Sequence, residues 1–338
     1  MTPGDVAAPV SRLSLAAVAT GRASAGADGT SEAYGPVGRS PWMDVDWREH
    51  LRWVQVDGRP VNVVDIGSGP VVVLLHGLAG CWQNWLETIP ELARDHRVIA
   101  LDLPGFGASP MPAQPISMPG YARMLDELFV TLGVDSATLV GSSMGGFVAA
   151  EFAIRYRAQV QRLCLTSPAG LSMEHMRNER NQGLRARIEN VLFFGSGWLA
   201  SKSDRVVRSE RLRRALLMLV AAYPERLPSR LIAEQARGAG KPGFGDALEA
   251  MTSYPIRDRL GEIACPALVV WGELDRLVPL RDAAEFEWLI PQARKIVYAD
   301  TGHLVMLERP ARFNADLRAF LEEGPGAQAP WPGLRSLA

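Results

Sequence analysis

A chain of 338 residues with 36 Lys and Arg against 37 Asp and Glu has a formal net charge of −1, so it exerts no global electrostatic pull on nucleic acid. Hydrophobic residues make up 47 % and charged residues 22 %, the ordinary balance of a soluble globular protein long enough to bury a sizeable core. Three cysteines, Cys81, Cys164 and Cys265, lie far apart with no CxxC or Cys/His spacing, which excludes a disulfide framework and a zinc cluster.

Residues 1–45 are rich in Ala, Gly, Ser, Thr and Pro and carry little periodicity, so they read as a disordered leader. Within them, Arg12, the apolar residues 13–19 and Ala23-Ser24-Ala25 faintly imitate a signal peptide. The apolar segment is short, however, and acidic Asp5 precedes the single arginine. No apolar stretch reaches the ~18 residues that span a bilayer. A cytoplasmic location is expected, with secretion or membrane-surface association left open.

Regular structure begins with strand-like runs at Leu51–Val56 and 61–66, joined by Asp57-Gly58, a strong hairpin turn signal. Val71–Leu75 is a continuous apolar, β-branched run, as expected of a parallel strand covered on both faces. It ends at His76-Gly77-Leu78-Ala79-Gly80. A helix is expected near 85–93, a strand at 98–101 that ends in Asp102-Leu103-Pro104-Gly105-Phe106-Gly107, and a helix at 119–132. The short run 137–140 then meets Gly141-Ser142-Ser143-Met144-Gly145 and a helical pattern from Phe147 to Tyr156, followed by a strand at Val160–Thr166.

This alternation is a doubly wound, mostly parallel sheet, in which the ligand lies beyond the C-terminal strand ends. Between 171 and 250 the alternation stops. The segment mixes helix formers with arginines, among them Arg205, Arg208, Arg211, Arg213 and Arg214, and carries apolar patches at Phe193-Phe194, Trp198-Leu199 and 216–220. It reads as an inserted helical cap or lid whose arginines form a solvated face. The α/β series returns with 267–271, Asp275, a helix near 282–290, a strand at 295–298, His303 and a last amphipathic helix at 310–321. The expected organisation is a core of 46–170 and 251–323, a cap of 171–250 and a loose tail of 324–338.

Ser143 sits where a strand turns into a helix. Gly-x-Ser-x-Gly alone arises by chance in roughly one chain in ten of this length, so its context does the discriminating. A serine hydroxyl attacks a carbonyl at neutral pH only if a base removes its proton and donors hold the resulting oxyanion. A sharp turn lifts Oγ clear of the sheet, and small residues at 141 and 145 let strand and helix approach.

Downstream, Asp275 and His303 follow successive strand ends, in the order nucleophile, acid, base. Taken singly, each has an ordinary reading, Asp275 as a turn former or helix cap and His303 as a structural loop residue. Taken together with Ser143 they form a catalytic set: His303 as general base and Asp275 as the carboxylate that orients it. Backbone N–H groups of Leu78 and Met144 are the candidate oxyanion donors. Asp102 and Gly105 to Gly107 read as a structural loop beside the site.

At this point the sequence resembles the α/β-hydrolase superfamily from about Trp53 to Glu322, through LLHGLAG, DLPGFGAS, LVGSSMGG, VVWGELDRLVP and TGHLVMLERP. The pieces SSMGG, LCLTSPAGL and GHLVMLERP are most similar to the esterase and lipase branch that includes monoacylglycerol-hydrolysing enzymes. The resemblance implies an eight-stranded α/β-hydrolase fold with an inserted helical cap and carboxylic ester hydrolysis by Ser143, Asp275 and His303. It also implies oxyanion donation by Leu78 and Met144.

No metal or cofactor is implied. The expected partner is a small ester or lipid, with peripheral membrane contact through the cap as an added expectation. Candidate substrate-facing residues are His76, Gly77, Phe193, Phe194 and Trp198. With Trp82 and Trp85, these aromatics suggest an apolar acyl or alcohol part, and core packing is the rival explanation.

Two alternatives stay open. Carbon–carbon hydrolases of ring-fission products share the serine triad and a similar cap, but usually carry an aromatic residue after the histidine, where this chain has Leu304. A non-catalytic ligand-binding protein of the same fold is the alternative of another class.

Overall fold

A computed structural model describes residues 33–172 and 208–323. Eight strands, β1 Leu51–Val56, β2 Arg59–Ile66, β3 Val71–Leu75, β4 Arg97–Leu101, β5 Ala137–Ser142, β6 Val160–Thr166, β7 Ala267–Gly272 and β8 Ala293–Tyr298, form one sheet in the order β1-β2-β4-β3-β5-β6-β7-β8. Only β2 runs against its neighbours, pairing antiparallel with both β1 and β4. The β1–β2 turn is made by Asp57 and Gly58, both at positive φ (48° and 66°), as the hairpin signal predicts.

Helices cover both faces: α1 Ile89–Leu92, α2 Met118–Leu132, α3 Met144–Arg155, α4 Glu210–Leu217, α5 Ser229–Gln235, α6 Phe244–Ser253, α7 Arg281–Leu289, α8 Val305–Glu308 and α9 Pro310–Glu322. Strands β5 and β7 are buried along their full lengths, because each is sandwiched between helical layers. One core lies under α2, α3, α6 and α7 and contains Leu139, Phe147, Phe152, Trp271 and Phe286. The other lies under α1, α8 and α9 and contains Trp85, Val140, Val270 and Phe313.

The expected helix over 85–93 is reduced to its second half. Trp82–Trp85 is a 3₁₀ turn and α1 is a single turn, with Pro90 in its first turn. Pro90 has no N–H and cannot continue a helix begun upstream, so it can only open a new one.

The N-terminal expectation also needs correction. Residues 33–45 fold onto the core as a strap. Trp42 is buried, its Nε1 donates to Glu87 Oε1 at 2.8 Å, and Ser40 Oγ donates to the same oxygen at 2.7 Å.

The described part of the segment between β6 and β7 is helical and packs on loops that leave the C-terminal strand ends. Gly243 N–H donates to Gly105 O at 3.0 Å, and Leu304 N–H to Val220 O at 3.2 Å. A Cβ on Gly238 would lie 2.5 Å from Ala79 O, so this segment seats directly on the loop after β3. Arg208, Arg211 and Arg214 are exposed, as expected of a solvated face. Arg213 is not: it is buried, with Nη2 donating to Glu225 O at 3.0 Å and Nη1 bonded to Ser229 Oγ. Arg205, Phe193, Phe194 and Trp198 lie outside the described residues. Among the described residues no helix is long and apolar enough to cross a membrane.

Candidate active site

The C-terminal ends of β3, β5, β7 and β8 bring the singled-out residues to one edge of the sheet. Ser143 follows β5 directly, with φ 53° and ψ −115°, a conformation that L residues rarely adopt. Such backbone costs on the order of 1–3 kcal/mol and persists only where its surroundings over-determine it. Here they do. Ser143 N–H donates to Thr166 O at 3.0 Å, and Ser143 O accepts from Phe147 N–H at 3.1 Å and from Ala169 N–H at 3.0 Å.

Glycines make the turn sterically feasible. A Cβ on Gly141 would stand 2.3 Å from Gly145 O, and one on Gly145 would stand 2.2 Å from Leu75 O. Gly77 clears the side of the serine itself, since a Cβ there would lie 3.1 Å from Ser143 Cβ and 3.8 Å from its Oγ.

Asp275, in the loop after β7, uses its two carboxylate oxygens differently. Oδ1 accepts from Leu277 and Val278 N–H, each at 2.9 Å, which is the ordinary turn-forming role. Oδ2 lies 2.8 Å from His303 Nδ1. Both side chains are buried, at 0 % and 3 % exposure. Burial pushes the Asp275 carboxyl up, but the facing imidazole and the two backbone donors outweigh it and hold the group below its ordinary value. With Nδ1–H committed to the carboxylate, Nε2 of His303 is left with a free lone pair. The two loops are locked together: Leu274 N–H donates to Thr301 O at 2.8 Å, and a Cβ on Gly272 would lie 1.9 Å from Gly302 O.

The α3 helix closes its first internal bond at Phe147, so the amides of its first turn, Met144 among them, have no partner within the helix. Leu78 lies one residue past Gly77, in the loop that presses on Ser143.

Asp102 is a structural knot, as expected. Its Oδ2 accepts from Asn62 Nδ2 and Ala108 N–H and its Oδ1 from Trp82 N–H, all at 2.8 Å. Gly107, at φ 53°, lies so close that a Cβ would fall 2.0 Å from the Asp102 carboxyl carbon.

Two expectations about side chains fail. His76 does not face a substrate: it is fully buried, Leu103 N–H donates to its Nε2 at 3.0 Å, and its Nδ1 lies 2.8 Å from Gly77 O. Burial, offset in part by Asp102, holds it below the ordinary histidine range, so it stays neutral and ties two loops together. Trp82 and Trp85 are core residues, their rings 4.9 Å from Trp47 and 6.2 Å from Phe313 respectively. Cys81 is buried, and that burial, with Asp102 nearby, pushes its thiol far up, so it is not a reactive neighbour of the site. Cys164 and Cys265 are free and buried.

A residue absent from the sequence-based assignment stands behind His303. Glu308, fully buried, accepts from the backbone amides of Gly302 at 2.8 Å and Leu304 at 3.0 Å. The one available signal is its place in the stretch GHLVMLERP, five residues past the histidine.

Comparison with known proteins gives a consistent family. A family model described as alpha/beta hydrolase fold matches residues 70–310. A 2-hydroxy-6-oxo-6-phenylhexa-2,4-dienoate hydrolase of Comamonas testosteroni is 30 % identical over 78 % of this chain and 91 % of its own length. A 2-hydroxy-6-oxo-2,4-heptadienoate hydrolase of Pseudomonas putida is 30 % identical over 80 % of this chain and 95 % of its own. Among solved structures, a bacterial membrane phospholipase A superposes with a TM-score of 0.67 at 28 % identity, covering 83 % of this chain and 90 % of that one.

Proposed function

Because the chain belongs to the α/β-hydrolase family, we propose that it is a serine hydrolase that cleaves carboxylic esters through an acyl-enzyme, with Ser143, His303 and Asp275 as its triad. The observation that carries this reading is the buried Asp275–His303 pair, at 2.8 Å, set at the same sheet edge as a serine held in a strained strand-to-helix turn.

In this mechanism His303 Nε2 takes the proton of Ser143 Oγ as the oxygen bonds to the substrate carbonyl carbon. Asp275 stabilises the imidazolium that forms. The oxyanion is received by the N–H groups of Leu78 and Met144, donors that are rigid before the reaction begins. Collapse expels the alcohol, which takes the proton from His303 and leaves the acyl group on Ser143. A water, deprotonated by the same His303, then releases the acid.

The alcohol and acyl preferences belong to the segment over the strand ends, which serves as a cap. Trp82 and Trp85 no longer argue for an apolar pocket, since the core accounts for both. The test is steady-state hydrolysis of a p-nitrophenyl ester series from about two to sixteen carbons, for the native protein and Ser143→Ala. Multiple turnover that disappears in Ser143→Ala is expected, with the series ranking the acyl site. Binding without repeated turnover would instead point to a non-catalytic role.

A second reading, carbon–carbon hydrolysis of a ring-fission product, is favoured by the two dienoate hydrolases at 30 % identity. It would use the same Ser143 and His303. Leu304, where an aromatic residue is usual in such enzymes, argues for the ester. Turnover of a 2-hydroxy-6-oxo-dienoate faster than of any ester in the series would reverse the ranking.

A further inference from the structure

A buried carboxylate away from the reacting atoms invites a physical account, because removing its charge from water is costly unless donors replace the water. Glu308 is fully supplied. Its Oε2 accepts from the N–H of Gly302, the N–H of Ala222 and the phenol of Tyr34, each at 2.8 Å, and its Oε1 accepts from Leu304 N–H at 3.0 Å. Burial pushes the carboxyl up, and these donors work against that shift.

The donors are not a random set. Gly302 and Leu304 are the chain neighbours of His303 on either side, so one rigid carboxylate holds the peptide group that follows the histidine and the one that precedes Gly302. Ala222 comes from the segment between β6 and β7, and Tyr34 from the N-terminal strap, whose Gly35 N–H also donates to Glu308 O at 2.7 Å. Three separated stretches of chain therefore converge on the group that holds the histidine loop.

We propose that Glu308 is a positioning residue for His303: it fixes the loop so that Nδ1 meets Asp275 while Nε2 is presented to Ser143, and it ties that geometry to the strap and the cap. This rests on the serine-hydrolase reading above. Glu308 touches neither substrate nor the reacting atoms, and its effect passes wholly through the histidine backbone.

The consequence differs from that of a residue needed only for stability. Glu308→Gln keeps the shape but puts a donor where an acceptor stood, so at least one of the amides flanking the histidine loses its bond to residue 308. A displacement of well under 1 Å at the histidine then falls on the chemical step, not on substrate binding.

The test measures kcat and KM on an ester the native protein turns over, together with the rate of labelling by a fluorophosphonate probe. The variants are E308Q, E308D and S143A, with folding checked by circular dichroism. E308Q is expected to lose about tenfold or more in kcat and in labelling rate, with KM within about threefold. E308D keeps the charge and is expected to recover part of that loss. A folded E308Q with native kcat, or a loss confined to KM, overturns the proposal. Should E308Q not fold, E308D decides by the same split: lowered kcat at unchanged KM supports the positioning role, and native kcat overturns it. Turnover and labelling that survive in S143A would sink the serine-hydrolase reading itself, and the positioning role with it. Their loss in S143A beside a native E308Q sinks only the positioning role.

Discussion

Asp275 combines two jobs that are usually separate. One oxygen stitches its own loop through Leu277 and Val278, and the other faces His303, so the carboxylate is rigid before the imidazole needs it. Asp275→Asn preserves the size and part of the turn but offers His303 an amide, which favours the wrong tautomer. A loss of about 10³–10⁴ in kcat is expected, the scale seen when an orienting carboxylate becomes an amide, with little change in KM. The same residue sets a stability trend. Its folded carboxyl lies below the ordinary value of 3.8, so the stabilisation is fully present above that value and is lost as pH falls through the lower folded one. The native protein should therefore lose its thermal advantage over Asp275→Asn between about pH 5 and pH 2, and a difference that grows on acidification would contradict this.

At the scale of elements, loops after β3 and β4 hold the nucleophile turn from the side, and Asp102 is their common anchor. Asp102→Ala would leave Asn62 Nδ2 and the amide of Trp82 unpaired in a buried place and the amide of Ala108 unpaired in a part-buried one. At ~1–3 kcal/mol for each orphaned group, a loss of about 3 kcal/mol or more in unfolding free energy is expected from urea denaturation. A loss below about 1 kcal/mol would show that the loops hold without it.

These elements also show what was legible in the sequence. The β-branched runs of β3, β5 and β7 announce themselves because strands covered on both faces have no polar side to show, and the turn at Ser143 because its glycines are forced by contacts under 3 Å. Apolar spacing predicts a helix over 85–93, but the missing N–H of Pro90 confines it to Ile89–Leu92. The role of His76 is not legible, because a histidine beside such a loop looks the same in sequence whether its nitrogens face a ligand or the backbone. Glu308 carries no signal of its own in the sequence because its four donors come from three separated stretches of the chain, a convergence that no local pattern encodes.

On the scale of the whole molecule, the strap from 33 to 45 is the part that composition concealed. Its length of few apolar residues hides one large anchor, Trp42, which buries its ring and shares Glu87 with Ser40. A chain beginning at residue 46 would lose that burial, expose the core residues that Trp42 covers and strip Glu308 of Tyr34. Relative to a chain beginning at residue 33, a destabilisation of about 3–5 kcal/mol is expected, the scale of removing a buried tryptophan. Equal stability of the two truncated chains would show that the strap is an ornament of the fold.

The covalent step can be observed directly by quenching the protein with acid during turnover of a p-nitrophenyl ester and taking the mass of its peptides. The mechanism predicts a peptide heavier by one acyl group, mapped to Ser143 and absent in Ser143→Ala, which should also fail to turn over. Steady product formation with no acylated peptide, and undiminished in Ser143→Ala, would contradict it.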